Sequence, residues 1–126
     1  IKLSMDTLKK IKSKDFTVGI VGLGYVGLPL AYAFSHKNIK TIGFDINSSQ
    51  TETLNKKKSY LKHISDEKIT DMQSKGFEAT TNFQRIQEVD VIVICVPTPL
   101  NHHKEPDLSA IINTGTTISS FLKKGQ

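Results

Sequence analysis

Apolar residues in this chain are concentrated in short runs that are separated by segments with helical spacing. The runs over residues 16–21 (FTVGIV), 40–45 (KTIGFD) and 90–96 (DVIVICV) are rich in β-branched side chains, and each stops at a glycine, an acidic residue or a proline. Such runs predict buried strands. A fourth, shorter strand over residues 77–80 (FEAT) is predicted at a sheet edge.

The segments between and after these strands predict helices over residues 25–37, 48–55, 66–75 and 108–124. Ser65 is expected to cap the start of the third helix, and Gly76 and Gly125 are expected to end the third and fourth helices. Asn82 is expected to cap a helical turn that runs toward Val89.

Residues 1–15 precede this pattern and are predicted to form a unit of their own. Ile1, Met5, Leu8 and Ile11 recur at helical spacing, which predicts a short amphipathic helix. The pattern leaves open whether this helix packs on the domain or only leads into it. Residues 16–126 are then predicted to form one domain, because a chain of this length has room for one core.

The alternation of strands and helices predicts the α/β class: a doubly wound, Rossmann-type, mostly parallel sheet with helices on both faces. The simplest strand order is 3-2-1-4. The fifth and sixth strands of such a sheet are absent, so the fold is truncated after about four strands. We therefore expect an amino-terminal piece of a larger enzyme, with the strand over residues 90–96 at an open edge of the sheet.

Composition excludes several classes of protein. The 37% hydrophobic and 23% charged residues are typical of a folded globular chain. The net charge is +5, and the lysines lie mainly in residues 9–14, 56–58 and 123–124 without interleaved aromatic side chains, so no nucleic acid is expected as a partner. The single cysteine excludes an intramolecular disulfide and fits a reducing compartment.

Residues 16–35 carry no charge over twenty positions, which is long enough to cross a bilayer as a helix. However, four glycines and Pro29 interrupt the segment, and a polar segment precedes it where a signal peptide would have its charged start. We therefore expect no membrane anchor here. The segment is better interpreted as a strand, a glycine turn and the start of a helix.

Gly22, Gly24 and Gly27 have the spacing G-x-G-x-x-G between a predicted strand and a predicted helix, and Asp45 ends the next strand. Gly22 would permit the tight turn, Gly24 would let a pyrophosphate approach the backbone, and Gly27 would let helix and strand close up. Asp45 would accept hydrogen bonds from the adenosine ribose and repel a 2′-phosphate, so we predict NAD rather than NADP. The alternative is that the glycines serve packing and Asp45 only begins a helix.

The last strand ends in CVPTP, beyond which the switch-point rule places a ligand. Pro97 and Pro99 fix an extended exit and leave Thr98 to present its hydroxyl to the crevice. A purely conformational role for this turn remains open.

Cysteine and histidine residues are present, but no catalytic or metal-binding residue is predicted among them. Cys95 is expected to be a small buried hydrophobe, because nothing nearby in the sequence would activate a thiolate. His63, His102 and His103 lack the spacing of a metal site and are expected in solvated loops.

The motifs GIVGLGYVGLPLA, GFDIN, GFEATTNF and VIVICVPTPLNHHKEPDLS, in this order, resemble the amino-terminal domain of the UDP-glucose/GDP-mannose dehydrogenase family. The resemblance implies an enzyme that oxidises the C6 alcohol of a nucleotide sugar to a carboxylate in two NAD-dependent steps, for surface polysaccharide synthesis. VPTPLN followed by EPDLS is most similar to the branch that acts on UDP-N-acetylhexosamines, with UDP-N-acetylglucosamine the first expectation. UDP-N-acetylmannosamine, UDP-glucose and a non-catalytic nucleotide-binding module remain alternatives.

The resemblance also implies site residues. The cofactor-binding set is Gly22, Leu23, Gly24, Tyr25, Val26, Gly27, Asp45 and Thr98. Gln50 stands where many members carry a lysine or arginine, which predicts weaker NAD binding without a changed specificity. The family's catalytic cysteine and the domains that hold the sugar lie beyond this segment. The full-length enzyme is expected to be a cytoplasmic homo-oligomer.

Overall fold

The computed structural model describes residues 8–126. After a short helical segment at residues 8–12, the domain contains four strands, four α-helices and one 3-10 helix. In chain order these are β1 (Thr17–Val21), α1 (Gly27–His36), β2 (Lys40–Phe44), α2 (Ser48–Asn55), α3 (Asp66–Ser74), β3 (Glu78–Thr80), the 3-10 helix (Phe83–Glu88), β4 (Val91–Ile94) and α4 (Ser109–Ser119). Apart from the end of α4, the elements begin and end within two residues of the predicted positions.

The four strands form one parallel sheet in the order β3-β2-β1-β4, as predicted. Val21 at the end of β1 lies opposite Phe44 of β2 on one side and Ile94 of β4 on the other. The carboxyl ends of these three strands are therefore side by side. The loops that follow them must meet at one edge of the sheet.

Each face of the sheet carries its own apolar core, which confirms the doubly wound α/β fold. One core joins β1 to α1, α2 and α3 through Val18, Ile20, Leu28, Leu54 and Met72. The other joins β2 to the 3-10 helix and α4 through Ile42, Phe44, Ile86 and Ile118. Burial of these side chains supplies most of the favourable free energy of folding.

The predicted caps are present. The Ser65 hydroxyl accepts a hydrogen bond from the N–H of Lys68 at the start of α3, and that helix stops before Gly76. The Asn82 side chain accepts a hydrogen bond from the N–H of Gln84 in the 3-10 helix. Each cap satisfies a backbone donor that has no partner inside its own helix.

The predicted end of the last helix at residue 124 is wrong, since α4 stops at Ser119. After it the chain turns back so that Phe121 packs against the second core. The Gln126 side chain then donates hydrogen bonds to the carbonyls of Ile86 and Val89, both at 2.7 Å. These tertiary contacts replace the last turns of the helix.

The predicted length of the last strand is also wrong, because β4 ends at Ile94 and not at residue 96. The N–H of Cys95 donates to the carbonyl of Val21 at 2.7 Å, which is where β1 ends and the chain turns away at Gly22. Beyond Cys95, β1 therefore offers no further residue for β4 to pair with.

Part of the predicted amino-terminal helix lies outside the described residues, including Ile1 and Met5. Residues 8–12 are helical, and their Leu8 and Ile11 are 50% and 41% exposed. The segment contacts the domain through Lys10, whose Nζ lies 3.1 Å from Asp90 Oδ1. This part of the helix leads into the domain with its apolar stripe in solvent.

No helix in residues 8–126 has both the length and the apolar character needed to cross a membrane. The uncharged segment over residues 16–35 is divided between β1, the glycine turn and α1.

Candidate cofactor site

A cleft of about 930 Å³ lies at the carboxyl ends of β1, β2 and β4. Its walls come from the glycine turn after β1, the start of α2, the loop after β4 and one side of α4. Seven of the eight predicted cofactor-binding residues line it: Gly22, Leu23, Gly24, Tyr25, Val26, Asp45 and Thr98. The cleft is at the position that the switch-point rule predicts.

Gly22 and Gly27 are glycines because the protein's own packing requires it. Gly22 has a φ of +99°, and a Cβ on it would lie 2.6 Å from the carbonyl oxygen of Cys95. Gly27 is absent from the cleft wall, and a Cβ on it would lie 1.6 Å from the carbonyl oxygen of Gly22. The first glycine therefore makes the turn, and the second lets α1 begin directly against it.

Gly24 differs from both. A Cβ on Gly24 would meet no atom of residues 8–126 within 4 Å, and the φ of Gly24 is outside the left-handed region. Neither packing nor backbone geometry therefore calls for glycine at this position. The missing side chain instead leaves the cleft wall open beside the backbone, as a ligand that approaches the main chain requires.

The glycine turn also presents hydrogen-bond donors. Within residues 8–126, the N–H groups of Gly24, Tyr25 and Val26 donate to no protein acceptor. The first turn of α1 contains no acidic residue, and no side chain caps the helix start. Free donors at the positive end of a helix dipole form a suitable site for a phosphate group.

Asp45 is held at the end of β2 with its carboxylate toward the glycine turn. Oδ2 accepts a hydrogen bond from the N–H of Leu23 at 2.9 Å, and Oδ1 accepts one from the N–H of Asn47 at 2.9 Å. An ionised carboxylate has about four acceptor positions, so it retains capacity for ligand hydroxyls. The cap of α2 is Asn47, which weakens the alternative that Asp45 only begins that helix.

The remaining predicted residues contribute in different ways. Leu23 lines the cleft only through its backbone, because its side chain is fully buried in the first core. The Tyr25 and Val26 side chains are 78% and 67% exposed, and the Tyr25 ring stacks on that of His63. Thr98 is exposed in the cleft wall between its two prolines. Gln50, on α2, also lines the cleft and is uncharged there.

Sequence reasoning missed the contribution of α4. Asn113, Thr114 and Thr117 line the cleft from α4, which belongs to the second core, whereas α1 belongs to the first. Residues 113 and 117 are one helical turn apart on a helix that also carries the apolar residues Ile111, Ile112 and Ile118. This spacing of polar residues was the signal in the sequence that could have identified α4 as part of the cleft wall.

Sequence reasoning also missed Tyr60, which lies in a loop with no periodic pattern. Its hydroxyl donates a hydrogen bond to the carbonyl oxygen of Leu23 in the glycine turn. Burial, and then the nearby charge of Asp45, raises the pKa of Tyr60 above its usual value. The phenol therefore stays protonated and remains a donor at physiological pH.

The expected burial of Cys95 is only partly correct. The residue lies just beyond β4, is half-buried and lines the cleft. Burial raises the pKa of the Cys95 thiol, so the nucleophilic thiolate is scarce at neutral pH. The structure gives no indication of an activated cysteine at this position.

Alkylation of Cys95 by iodoacetamide should be slower at neutral pH than alkylation of free cysteine. The rate should increase with pH, because only the thiolate reacts. Since the pKa of Cys95 is raised, the pH at which the rate is half its maximum should be higher than for an ordinary thiol. Mass spectrometry of timed samples measures this rate, and the same chain in urea serves as the control. A rate equal to that of free cysteine at neutral pH would contradict the assignment of Cys95 as inert.

In residues 8–126, no group of three or more histidine, cysteine or acidic side chains is arranged to hold a metal ion. His102 and His103 are exposed in the loop before α4, and His63 stacks on Tyr25.

Comparison with known proteins agrees with this geometry. Residues 16–126 match the NAD binding domain of the UDP-glucose/GDP-mannose dehydrogenase family. A UDP-N-acetyl-D-glucosamine 6-dehydrogenase from Pseudomonas aeruginosa is 38% identical over 112 residues, which cover 89% of this chain and 26% of the relative. A UDP-N-acetyl-D-mannosamine dehydrogenase from Yersinia pestis is 34% identical over 111 residues, which cover 86% of this chain and 26% of the relative.

A solved structure also matches. The crystal structure of an NDP-N-acetyl-D-galactosaminuronic acid dehydrogenase from Methanosarcina mazei Go1 superimposes with a TM-score of 0.78 at 31% identity, over 95% of this chain and 28% of that one. The chain thus spans about a quarter of the length of the relatives it matches. It belongs to the UDP-glucose/GDP-mannose dehydrogenase family and corresponds to the family's NAD-binding domain.

Proposed function

We propose that this chain binds NAD in the cleft at the carboxyl ends of β1, β2 and β4, as the cofactor domain of a nucleotide-sugar 6-dehydrogenase. One observation carries the proposal. Gly24 lines the cleft, has no packing or backbone reason to be glycine, and lies beside backbone donors that have no protein acceptor in residues 8–126. An anionic ligand that lies against the main chain explains all three features.

The proposed roles follow from the chemistry of each residue. The N–H groups of residues 24–26 and the start of α1 would bind the pyrophosphate. The carboxylate of Asp45 would accept hydrogen bonds from the adenosine ribose, and Thr98 would offer a hydroxyl from the other side of the cleft. Bound NAD supplies the hydride acceptor for oxidation of an alcohol. The described residues would bind and orient it.

The proposed substrate is a UDP-N-acetylhexosamine, with UDP-N-acetylglucosamine first, whose C6 alcohol the whole enzyme would oxidise to a carboxylate. The 38% identical relative with that specificity supports this choice. The 34% identical relative that acts on UDP-N-acetylmannosamine favours that sugar as the second candidate. The full-length enzyme is proposed to be a cytoplasmic homo-oligomer that holds its sugar through further domains.

The preference for NAD can be tested by titrating the chain with NADH and with NADPH and following nicotinamide fluorescence. NADH should bind about tenfold or more tightly than NADPH, because a 2′-phosphate would be close to the Asp45 carboxylate. Asp45→Asn keeps an acceptor oxygen for Leu23 and removes the charge. It should weaken NADH binding by about tenfold and reduce the preference over NADPH.

The matched control is Asp71→Asn, which removes a partly exposed carboxylate on α3 that contacts His36 and forms an ion pair with Lys75 away from the cleft. This variant should bind NADH as the wild type does. Equal affinity of the folded wild-type chain for NADH and NADPH would contradict the role given to Asp45. No NADH binding by a chain with the circular dichroism of a folded α/β domain would contradict the proposed function.

A further inference from the structure

The loop between α2 and α3 (residues 56–65, the α2–α3 loop) contacts the glycine turn at two separate points. The Tyr60 hydroxyl donates a hydrogen bond to the carbonyl oxygen of Leu23. Three residues later, the His63 ring stacks on the Tyr25 ring, with centroids 6.1 Å apart and planes 11° from parallel. Tyr60 and Leu23 are 37 residues apart in the sequence. Only the tertiary fold brings them together.

Together with Asp45, the loop fixes the position of one residue of the turn, Leu23. The N–H of Leu23 donates to Asp45 Oδ2 at 2.9 Å, and the carbonyl of Leu23 accepts from Tyr60. The Leu23 side chain is fully buried in the first core. The backbone of Leu23 is thus held at both polar groups and at its side chain, immediately before the open donors that begin at Gly24.

The α2–α3 loop is itself well anchored. The N–H of Ser59 donates to Asp66 Oδ1 at 2.8 Å, and the Ser59 hydroxyl exchanges hydrogen bonds with the backbone of Leu61. Ile64 is buried in the first core, and Tyr60 and Leu61 pack against it. These contacts restrain the loop, so Tyr60 can fix the position of the turn.

We infer that the α2–α3 loop positions the cofactor-binding turn and that Tyr60 is its main positioning residue. This inference rests on the proposed function, since it concerns the same cleft. Tyr60 is absent from the cleft wall, so it acts through the Leu23 peptide and not by touching the ligand. A preorganised turn presents its free N–H groups without the entropic cost of ordering them on binding.

Tyr60→Phe tests the inference, because it keeps the ring in the core and removes only the hydroxyl. NADH affinity should fall by about fivefold to tenfold, as expected for one lost hydrogen bond to the backbone of the turn. Amide hydrogen exchange measured by NMR without ligand should be about tenfold faster at Leu23, while exchange at Ile20 within β1 should not change. The exchange measurement detects loss of positioning, which a general loss of stability would not confine to the turn.

Two controls separate positioning from other effects. Tyr32→Phe removes a hydroxyl whose contact is His36 Nδ1 at 3.4 Å, on the exposed side of α1. Ile69→Val makes a small cavity in the same core as Tyr60 and lowers stability without removing any hydrogen bond of the turn. Both variants should bind NADH as the wild type does and keep the Leu23 exchange rate.

The results decide the inference in either direction. An NADH affinity for Tyr60→Phe within about twofold of the wild type, or an unchanged Leu23 exchange rate, overturns it. If Tyr60→Phe does not fold, His63→Ala removes the second contact at the surface and should weaken NADH binding by about twofold to threefold; unchanged affinity then overturns it. If the wild type itself binds no NADH, the proposed function fails, and Leu23 exchange alone decides whether Tyr60 holds the turn.

Discussion

Gly24→Val should abolish measurable NADH binding and leave the stability of the fold almost unchanged. A Cβ at this position meets no atom within 4 Å in the described part of the chain, so the substitution causes no clash there. The added side chain would instead occupy the wall beside the free N–H groups, where the pyrophosphate is proposed to lie. We expect a loss of affinity on the order of 100-fold, or about 3 kcal/mol. Fluorescence titration with NADH measures the affinity, and urea unfolding measures the stability.

Gly115→Val is the matched control for this experiment. Gly115 lies in α4, does not line the cleft, and would likewise have no atom of the described residues within 4 Å of an added Cβ. The Gly115→Val variant should bind NADH with wild-type affinity. Gly24→Val with undiminished NADH affinity would show that the ligand does not approach this part of the backbone, and the site would have to be placed elsewhere.

The strand order and the position of the cleft could be predicted because they depend on local patterns. Short β-branched runs separated by capped helices leave few topologies, since parallel strands need right-handed crossovers. The spacing of Gly22, Gly24 and Gly27 before a helix, with Asp45 after the next strand, then fixes which loops meet at the carboxyl edge. Each of these indications lies within a few dozen residues of sequence.

What could not be predicted depends on contacts between distant segments. Tyr60 lies in an irregular loop, and its link to Leu23 exists only after α2 and α3 have packed on β1. The early end of α4 likewise follows from hydrogen bonds of Gln126 to the 3-10 helix region, 37 and 40 residues earlier. Helix propensity gives no indication of either contact, because tertiary packing overrides it.

The glycine motif shows a further limit of sequence reading. The pattern assigns similar importance to its three glycines, whereas the structure separates them by what surrounds each Cα. Around Gly22 and Gly27 the nearest atoms to an added Cβ are backbone atoms of the protein, and around Gly24 there are none within 4 Å. Substitutions at Gly24 and Gly27 should therefore affect different properties of the chain.

Gly27→Ala should destabilise the fold severely, in contrast to substitution at Gly24. The added Cβ would lie 1.6 Å from the carbonyl oxygen of Gly22, so either the turn or the start of α1 must move. Alanine gains about 1 kcal/mol over glycine in helix propensity, but displacing packed backbone costs more. We expect a net loss of about 3 kcal/mol or more, a large part of the stability of a small domain. Urea unfolding followed by circular dichroism measures this loss.

The same glycine-to-alanine substitution at Gly115 should stabilise the fold. Gly115 is in the middle of α4 and has open space around it, so Gly115→Ala should gain up to about 1 kcal/mol from helix propensity alone. One chemical change thus tests packing against propensity at two sites. If Gly27→Ala unfolds at the same urea concentration as the wild type, α1 does not begin against the Gly22 carbonyl. The close contact between Gly27 and the Gly22 carbonyl would then be absent. The N–H groups proposed to bind the pyrophosphate would lose the packing that holds them at the cleft.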